Sequence, residues 1–363
     1  MQIEKITYFN GEDIEENQLF DKITEARVLW NEEIKEEKPC IEIIDETGES
    51  YPFGTFGNIS VITGQAKSRK SFFVTAIASA YAYTGKRSLE MIQATRNEEK
   101  RNIVYFDTEQ SRFHVKTLIN RIIQMTGKMP DDLENLKVFS LRKHKPEIRF
   151  EIVNEVIQKT ENLGLVIIDG IRDLITNIND PDQATNITSH LMKWSEDKEC
   201  HILTVIHENK GNEHARGHIG TELINKAETV ISIRKEQDNS TRSEIIPTYT
   251  RGKAFKNFAF RISEMGMPIL DKEFQPESKG RPPKLNITEL NKVQLHEILN
   301  IAFKTTKELS YSELLDQLQI GVNQYMKTTI GERKTKEFIT HLRGKELITK
   351  VDPENQKSKF KRS

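Results

Sequence analysis

An α/β fold is what this sequence predicts: a mainly parallel sheet, extended by C-terminal antiparallel hairpins and followed by a small, mostly helical module. Three observations carry the prediction. From residue 58 to about 206, strand-like and helix-like stretches alternate, the pattern that builds βαβ crossovers around a parallel sheet. Ile103–Asp107 and Leu163–Asp169 are nearly unbroken apolar runs, as strands covered on both faces are. Polar residues cluster just past the ends of these runs, which in parallel sheets is where ligands sit.

In order along the chain, residues 1–38 are acidic and carry scattered apolar side chains, among them Leu19, Phe20, Ile23, Leu29 and Trp30. They read as one or two helices that lean on the main body or on a neighbouring subunit. Cys40–Ile44 is strand-like, Asp45–Gly48 a turn signal before a second short strand, and Gly54 and Gly57 lead into a central strand at 58–63. Phe72–Tyr83 is rich in small apolar residues and reads as a helix stopped by Gly85. Residues 86–101 are charged and read as an exposed loop. After the strand 103–107, Phe113–Gly127 reads as a helix, 138–141 as a short strand and 146–162 as a helix. The apolar run 163–169 follows, then a helix at 182–198 and a buried strand at 201–206 that stops at His207. A polar loop spans 208–220. Residues 229–233 form a strand, and 243–250 and 257–263 alternate as hairpin strands with Arg251, Gly252 and Lys253 in the turn.

Composition narrows the class. The 363 residues suffice for two or three domains and a substantial core. Cys40 and Cys200 are the only cysteines, so no disulfide framework exists and a reducing, cytoplasmic setting is expected. No apolar run is long enough to span a bilayer, and the N-terminus does not read as a signal peptide. The net charge of −1 hides an asymmetry. From Glu277 onward 17 Lys and Arg stand against 11 Asp and Glu, a charge of +6 that leaves about −7 on the rest. A basic C-terminal piece on an acidic body points to an anionic partner.

The chemistry gathers at Gly64, Gln65, Ala66, Lys67, Ser68, Arg69, Lys70 and Ser71, between a strand and a helix. The layout is that of a phosphate-binding loop, G-x-x-x-x-G-K-[ST], in which successive N–H groups and the helix N-terminus wrap the phosphates. Arg69 stands where the second glycine belongs, which costs little only if its backbone stays right-handed. Lys70 would neutralise the β- and γ-phosphates of ATP, and Ser71 would ligate Mg²⁺. The acid ending the 163–169 strand, Asp169, would hold Mg²⁺ through water. Lys70, Glu109, Asp169 and His207 all fall at or just past strand ends.

The chain resembles the RecA-like ATPases, and within them the DnaB-like and RepA-like hexameric helicases and the mobilisation-type ATPases of plasmids and mobile elements. The residues that carry the resemblance are 64–71, 105–109, 167–170, 207–210 and 216–221, within roughly residues 40–265. The resemblance implies a RecA-like P-loop NTPase core and a role for each position. Glu109 would polarise the attacking water, His207 would sense the γ-phosphate, and Lys210, Arg216 and His218 would line a DNA-facing loop, with His214 beside them. Arg251 would be an arginine finger presented to the neighbouring subunit. The implied assembly is a ring, a hexamer, with single-stranded DNA in its channel.

Residues 277–287 read as a linker. Beyond it, 288–303, a helix opened by Ser310 with Glu313 at capping-box spacing, and 330–342 give three helices, with a wing strand at 346–351. The segment 288–356 thus resembles a winged helix, whose third helix, with Arg333, Lys334 and Lys336, would enter a DNA groove. The basic tail 357–363 is expected to be disordered. The domain plan is therefore 1–38, an ATPase domain at 39–276, a linker, the winged-helix-like domain and the tail. An ATP-driven DNA motor is the function expected first, a helicase or translocase serving replication or mobilisation. An ATP-dependent DNA-binding regulator or loader is the alternative. A small-molecule kinase is disfavoured, because it would need an acceptor pocket and an arginine-rich lid.

Overall fold

The computed structural model describes residues 16–208, 217–236, 241–276, 287, 290–326, 328, 330–355 and 357–362. The chain divides into two compact units, Met1–Pro276 and Glu277–Ser363.

In the first unit the elements run α1 (Glu16–Ala26), β1 (Pro39–Ile44), β2 (Ser50–Thr55), β3 (Ile59–Thr63), α2 (Lys70–Ala82), β4 (Ile92–Ala94), β5 (Asn102–Asp107), α3 (Arg112–Thr126), β6 (Leu136–Ser140), α4 (Pro146–Lys159), β7 (Leu163–Asp169), α5 (Pro181–Asp197), β8 (His201–Val205), α6 (Gly217–Lys226), β9 (Thr229–Lys235), β10 (Arg242–Thr250), β11 (Phe258–Ile262) and β12 (Pro268–Leu270). Among the described residues nine strands form the main sheet, in the order β12-β11-β10-β9-β3-β8-β7-β5-β6. The pairs from β9 to β6 are parallel; those from β9 through β10 and β11 to β12 are antiparallel. This is the predicted α/β plan, a RecA-like P-loop NTPase core.

Alternation along each parallel strand sorts side chains onto two faces. Ile62, Ile103, Tyr105, Ile167 and Leu203 pack under α2 and α3 and against β1, β2 and β4. Val61, Val104, Phe106, Ile168 and Ile202 pack under α4, α5 and α6, with Trp194 fully buried at their centre. Because both faces are covered, these strands read as continuous apolar runs. The sheet therefore offers ligands only its ends.

Three expectations need correction here. Residues 86–101 are not simply an exposed loop: Ile92 and Ala94 are buried, and β4 pairs antiparallel with β1 to make a separate three-stranded sheet, β2-β1-β4. Among the described residues of 1–38, Phe20, Ile23, Val28, Leu29, Trp30 and Ile34 are exposed rather than packed on the body of their own chain, which the segment reaches at Glu37, accepting from Asn58 Nδ2 at 2.7 Å. Phe20 is 66% exposed and Trp30 97%. The loop expected at 208–220 is shorter than predicted, because Gly217–Gly220 already belong to α6, with Ile219 and Gly220 buried.

The second unit contains α7 (Lys292–Ala302), β13 (Glu308–Leu309), α8 (Tyr311–Met326), α9 (Glu332–Gly344), β14 (Ile348–Lys350) and β15 (Phe360–Arg362). Ser310 opens α8 as the spacing predicts: its backbone N–H donates to Glu313 Oε2 at 2.8 Å, and Glu313 N–H donates back to Ser310 Oγ at 3.4 Å. Asn291 and Gln294 cap α7 in the same reciprocal way, so that helix starts later than residue 288. The expected disordered tail is instead a strand. β15 pairs antiparallel with both β13 and β14 and buries Phe360 in the unit's core.

Candidate nucleotide-binding and catalytic site

The loop between β3 and α2 is shaped by backbone that most residues avoid. Gly64 has φ 150°, and a Cβ there would lie 2.5 Å from the carbonyl oxygen of Ile233 and 2.7 Å from Ser68 Oγ. Only glycine fits. Lys67 and Arg69 both take positive φ, 65° and 71°. The condition under which an arginine would cost little here is therefore not met; the loop keeps its left-handed turn with an arginine in it. The guanidinium donates to the carbonyl of Arg242 and to Ser243 Oγ, each at 3.3 Å. Ser243 Oγ donates in turn to the carbonyl of Ser68, also at 3.3 Å. The loop is therefore tied to the start of β10.

Lys70, on the first turn of α2, is buried and folds back over the loop. Its ammonium donates to the carbonyls of Gly64 and Gln65 at 2.9 Å each and lies 3.1 Å from His207 Nδ1. An ammonium has no acceptor to offer, so Nδ1 accepts. Nε2 then carries the proton and donates to Glu109, 3.2 and 3.3 Å from its two carboxylate oxygens. Lys70, His207 and Glu109 are one hydrogen-bonded chain. Burial lowers the pKa of Lys70, while the hydrogen bond from His207 holds Glu109 below its ordinary value and so ionised.

On the other side of Lys70, Ser71 Oγ donates to Asp169 Oδ2 at 2.9 Å, and Tyr105 Oη donates to the same oxygen at 2.8 Å. Asp169 is buried at the end of β7, and burial raises its pKa. A neutral hydroxyl and one carboxylate are hard oxygen donors of the sort Mg²⁺ takes when substrate phosphates and water complete its shell. Among the described residues no cluster of three or more His, Cys, Asp or Glu is placed to hold a metal ion alone. Ser68 Oγ, buried within the loop, has no hydrogen-bond partner and is available to one.

Sequence reasoning missed three groups. Asp107, at the end of β5, accepts from the backbone N–H groups of Glu109 (3.1 Å) and Gln110 (2.7 Å) and fixes the turn that aims Glu109. Burial and then the charge of Asp169 push its pKa up to about 6. Tyr105 is the second. Glu208 is the third: expected in a DNA-facing loop, it is buried beneath the phosphate loop, accepting from Thr63 Oγ1 at 2.9 Å and Ser232 Oγ at 2.7 Å. Polar Thr63 and Ser232 at the ends of otherwise apolar strands were the available signal.

The remaining candidates stand elsewhere. Lys210, His214 and Arg216 lie outside the described residues. His218 is exposed on the first turn of α6, its N–H bonded to the carbonyl of Ile178 at 3.0 Å. Arg251 is at the opposite end of the sheet from Lys70, donating to Asn58 Oδ1 and the carbonyl of Lys226 at 3.3 Å each. Arg333, Lys334 and Lys336 are on α9 of the second unit, where Arg333 pairs with Glu337 and Lys336 with Glu332.

Comparison with known proteins agrees with this geometry. Residues 52–213 match the family model of an AAA domain. The DNA repair and recombination protein RadB of Methanococcus maripaludis is 29% identical over 201 residues, 52% of this chain and 86% of that protein. RadB of the C5 strain of that organism is 30% identical over 199 residues, with the same coverage. With a phosphate loop, a buried acid at the end of β7 and a glutamate linked through His207 to the loop's lysine, the chain belongs to the RecA-like, AAA-domain P-loop ATPases.

Proposed function

We propose that this chain is an ATP-hydrolysing DNA motor, a translocase or helicase working as a self-assembled ring on a single strand. The observation that carries the reading is the Lys70–His207–Glu109 chain, whose middle member, His207, stands just before residue 208 in the sequence. P-loop ATPases of this kind bind ATP with Mg²⁺. An arriving triphosphate would compete with the Gly64 and Gln65 carbonyls for Lys70, because a multiply charged phosphate is the better acceptor. When Lys70 turns to phosphate, His207 loses its partner at Nδ1 and becomes free to accept or rotate. Glu109, ionised and fixed through the Asp107 turn, accepts a hydrogen bond from the attacking water and orients it; in-line attack on phosphate is mostly a positioning problem. Ser71 and Asp169 would hold Mg²⁺, which when bound neutralises charge on the phosphate oxygens. His207 is followed by the buried Glu208 and then by residues 209–216, so the presence or loss of γ-phosphate would be passed along the chain to the segment that would touch DNA.

A second reading has its own support. The relatives are named for DNA repair and recombination, and a nucleotide-switched DNA-binding regulator would need the same site. The winged-helix-like reading of the second unit, with Arg333, Lys334 and Lys336 toward a groove, fits either.

ATP turnover with and without single-stranded DNA, with native mass and strand displacement, tests the proposal. The expected result is DNA-stimulated turnover and unwinding; stimulation without unwinding favours the switch. Glu109→Gln should keep nucleotide affinity and lose roughly 10²- to 10⁴-fold in turnover. Lys70→Ala should lose both. A Glu109→Gln chain turning over at the wild-type rate would overturn the assignment of the site.

A further inference from the structure

The carboxyl end of the edge strand β6 has a use that the nucleotide site does not absorb. A cavity of about 360 Å³ opens there between the start of α3 and the turn after β6. Arg112, Lys116, Lys143 and His144 line it, and no acidic residue does. The sequence of the turn, Arg142-Lys143-His144-Lys145, continues the positive charge outside it.

Three features distinguish this patch from an ordinary solvated face. Among the described residues, none of Arg112, Lys116, Arg142, Lys143 or Lys145 is paired with a carboxylate, whereas Lys159, Lys272 and Lys336 each are. The turn is held in place: Arg149 donates to the carbonyls of Leu141 (3.2 Å), Arg142 (2.9 Å) and Asp173 (3.2 Å). The third is an exposed aromatic ring, met edge-on by His114 at 5.5 Å between centroids. Phe113, on the first turn of α3 beside Arg112, is 76% exposed. Unpaired cations in a concave surface beside an exposed ring are what a single strand needs, since phosphates take the charge and a base takes the ring.

We propose that this end of β6 is a contact site for single-stranded nucleic acid: Arg112, Lys116 and Lys143 hold backbone phosphates and Phe113 stacks on a base. The inference rests on the DNA reading above and adds a second surface to it. It also gives a route to the chemistry. Arg112 lies three residues beyond Glu109, in a segment whose turn Asp107 fixes. A strand held at Arg112 therefore bears on the placement of the glutamate.

The test is fluorescence anisotropy of a labelled oligothymidylate with the full chain across a salt series, beside ATP turnover. The double variant Arg112→Glu/Lys143→Glu should bind at least tenfold more weakly. Its slope of log affinity against log salt should be shallower by about 1.4, two single-strand phosphates' worth. Phe113→Ala should weaken binding about tenfold and leave the slope unchanged. Turnover without DNA should stay at the wild-type rate in both, which also reports an intact fold, and stimulation by DNA should be lost in the double variant. Unchanged affinity and slope in the variants, with the wild type binding normally, overturns this site alone. A wild type that neither binds the strand nor responds to it overturns the DNA reading and this site with it. A lower native mass in the double variant at unchanged DNA affinity assigns the patch to a protein partner and likewise overturns it.

Discussion

Arg69 carries backbone strain and offsets part of it. A non-glycine residue in the left-handed region costs about 1–2 kcal/mol, and at φ 71° and ψ 29° Arg69 is there. Its guanidinium offsets this with bonds to β10. Alanine would keep the strain and lose the bonds, whereas glycine would lose both. Arg69→Ala should therefore be less stable than Arg69→Gly by about 1 kcal/mol in urea titrations; equal stabilities would mean that the loop relaxes. His201 gives a pH-dependent case. Buried against Gly54, with Nδ1 3.0 Å from the carbonyl of Thr55 and Nε2 unpartnered, it is held neutral by burial, its pKa pulled down to about 4 from an ordinary 6.5. A group depressed in the fold contributes stability that is complete above 6.5 and drains away as pH falls toward 4. Glu228, which burial pushes up to about 7, has the opposite sign: its contribution is complete below about 4.5 and is lost as pH rises through 7. His201 Nδ1 also lies 3.4 Å from Glu228 Oε1, so His201→Gln reports the first effect together with any change it makes at Glu228. The wild type's advantage over that variant should shrink between pH 6.5 and 4, by at most about 1.4 kcal/mol per unit. A difference that stays constant across this window would mean that His201 ionises inside the fold.

At the scale of elements, the strand most at odds with its sequence is β15. Phe-Lys-Arg in a basic tail carries no periodicity, yet it lies between β13 and β14 and supplies Phe360 to the core of α7, α8 and α9. Phe360→Ala should cost the second unit about 3–5 kcal/mol. Hydrogen exchange should register this as faster exchange in α7–α9, with β5 and β7 unaffected; protected helices in the variant would show that β15 is dispensable. β4 escaped notice for the same reason. Three residues in a charged stretch become a strand only because β1 offers an edge. What was legible was what burial alone dictates: β5, β7 and β8 announce themselves through apolar runs, and Lys70, Glu109, Asp169 and His207 through the polar residue that ends or follows each strand. Illegible were features set by long-range partners. The buried state of Glu208 depends on Thr63, 145 positions away, and on Ser232. The left-handed backbone of Arg69 follows from the loop's shape, against the residue's own preference.

Scaled to the whole molecule, the position of Arg251 bears on which nucleotide site it could serve. Thr250 stands opposite Thr229, at the amino end of β9, whereas Thr63, from which the phosphate loop starts, stands opposite Ser232. Arg251 thus projects from the end of the sheet that its own Lys70 does not occupy, and the whole length of the strands separates the two. If Arg251 stabilises the charge that builds on a transferring phosphoryl group, that group belongs to another copy of the chain. Head-to-tail contacts of this kind close into rings or run on as filaments, and each interface then owes its loop and glutamate to one chain and its arginine to the next. Arg251→Ala alone should lose turnover by a factor in the range 10³ to 10⁵, and Lys70→Ala should be inactive. Mixing the two restores some interfaces in which an intact loop meets an intact arginine, so the mixture should hydrolyse ATP where neither parent does. Native mass must show that mixed oligomers have formed. If they form and remain inactive, Arg251 acts in holding Asn58 and the end of α6 in place, and the charge of the transition state must be met by a different cation.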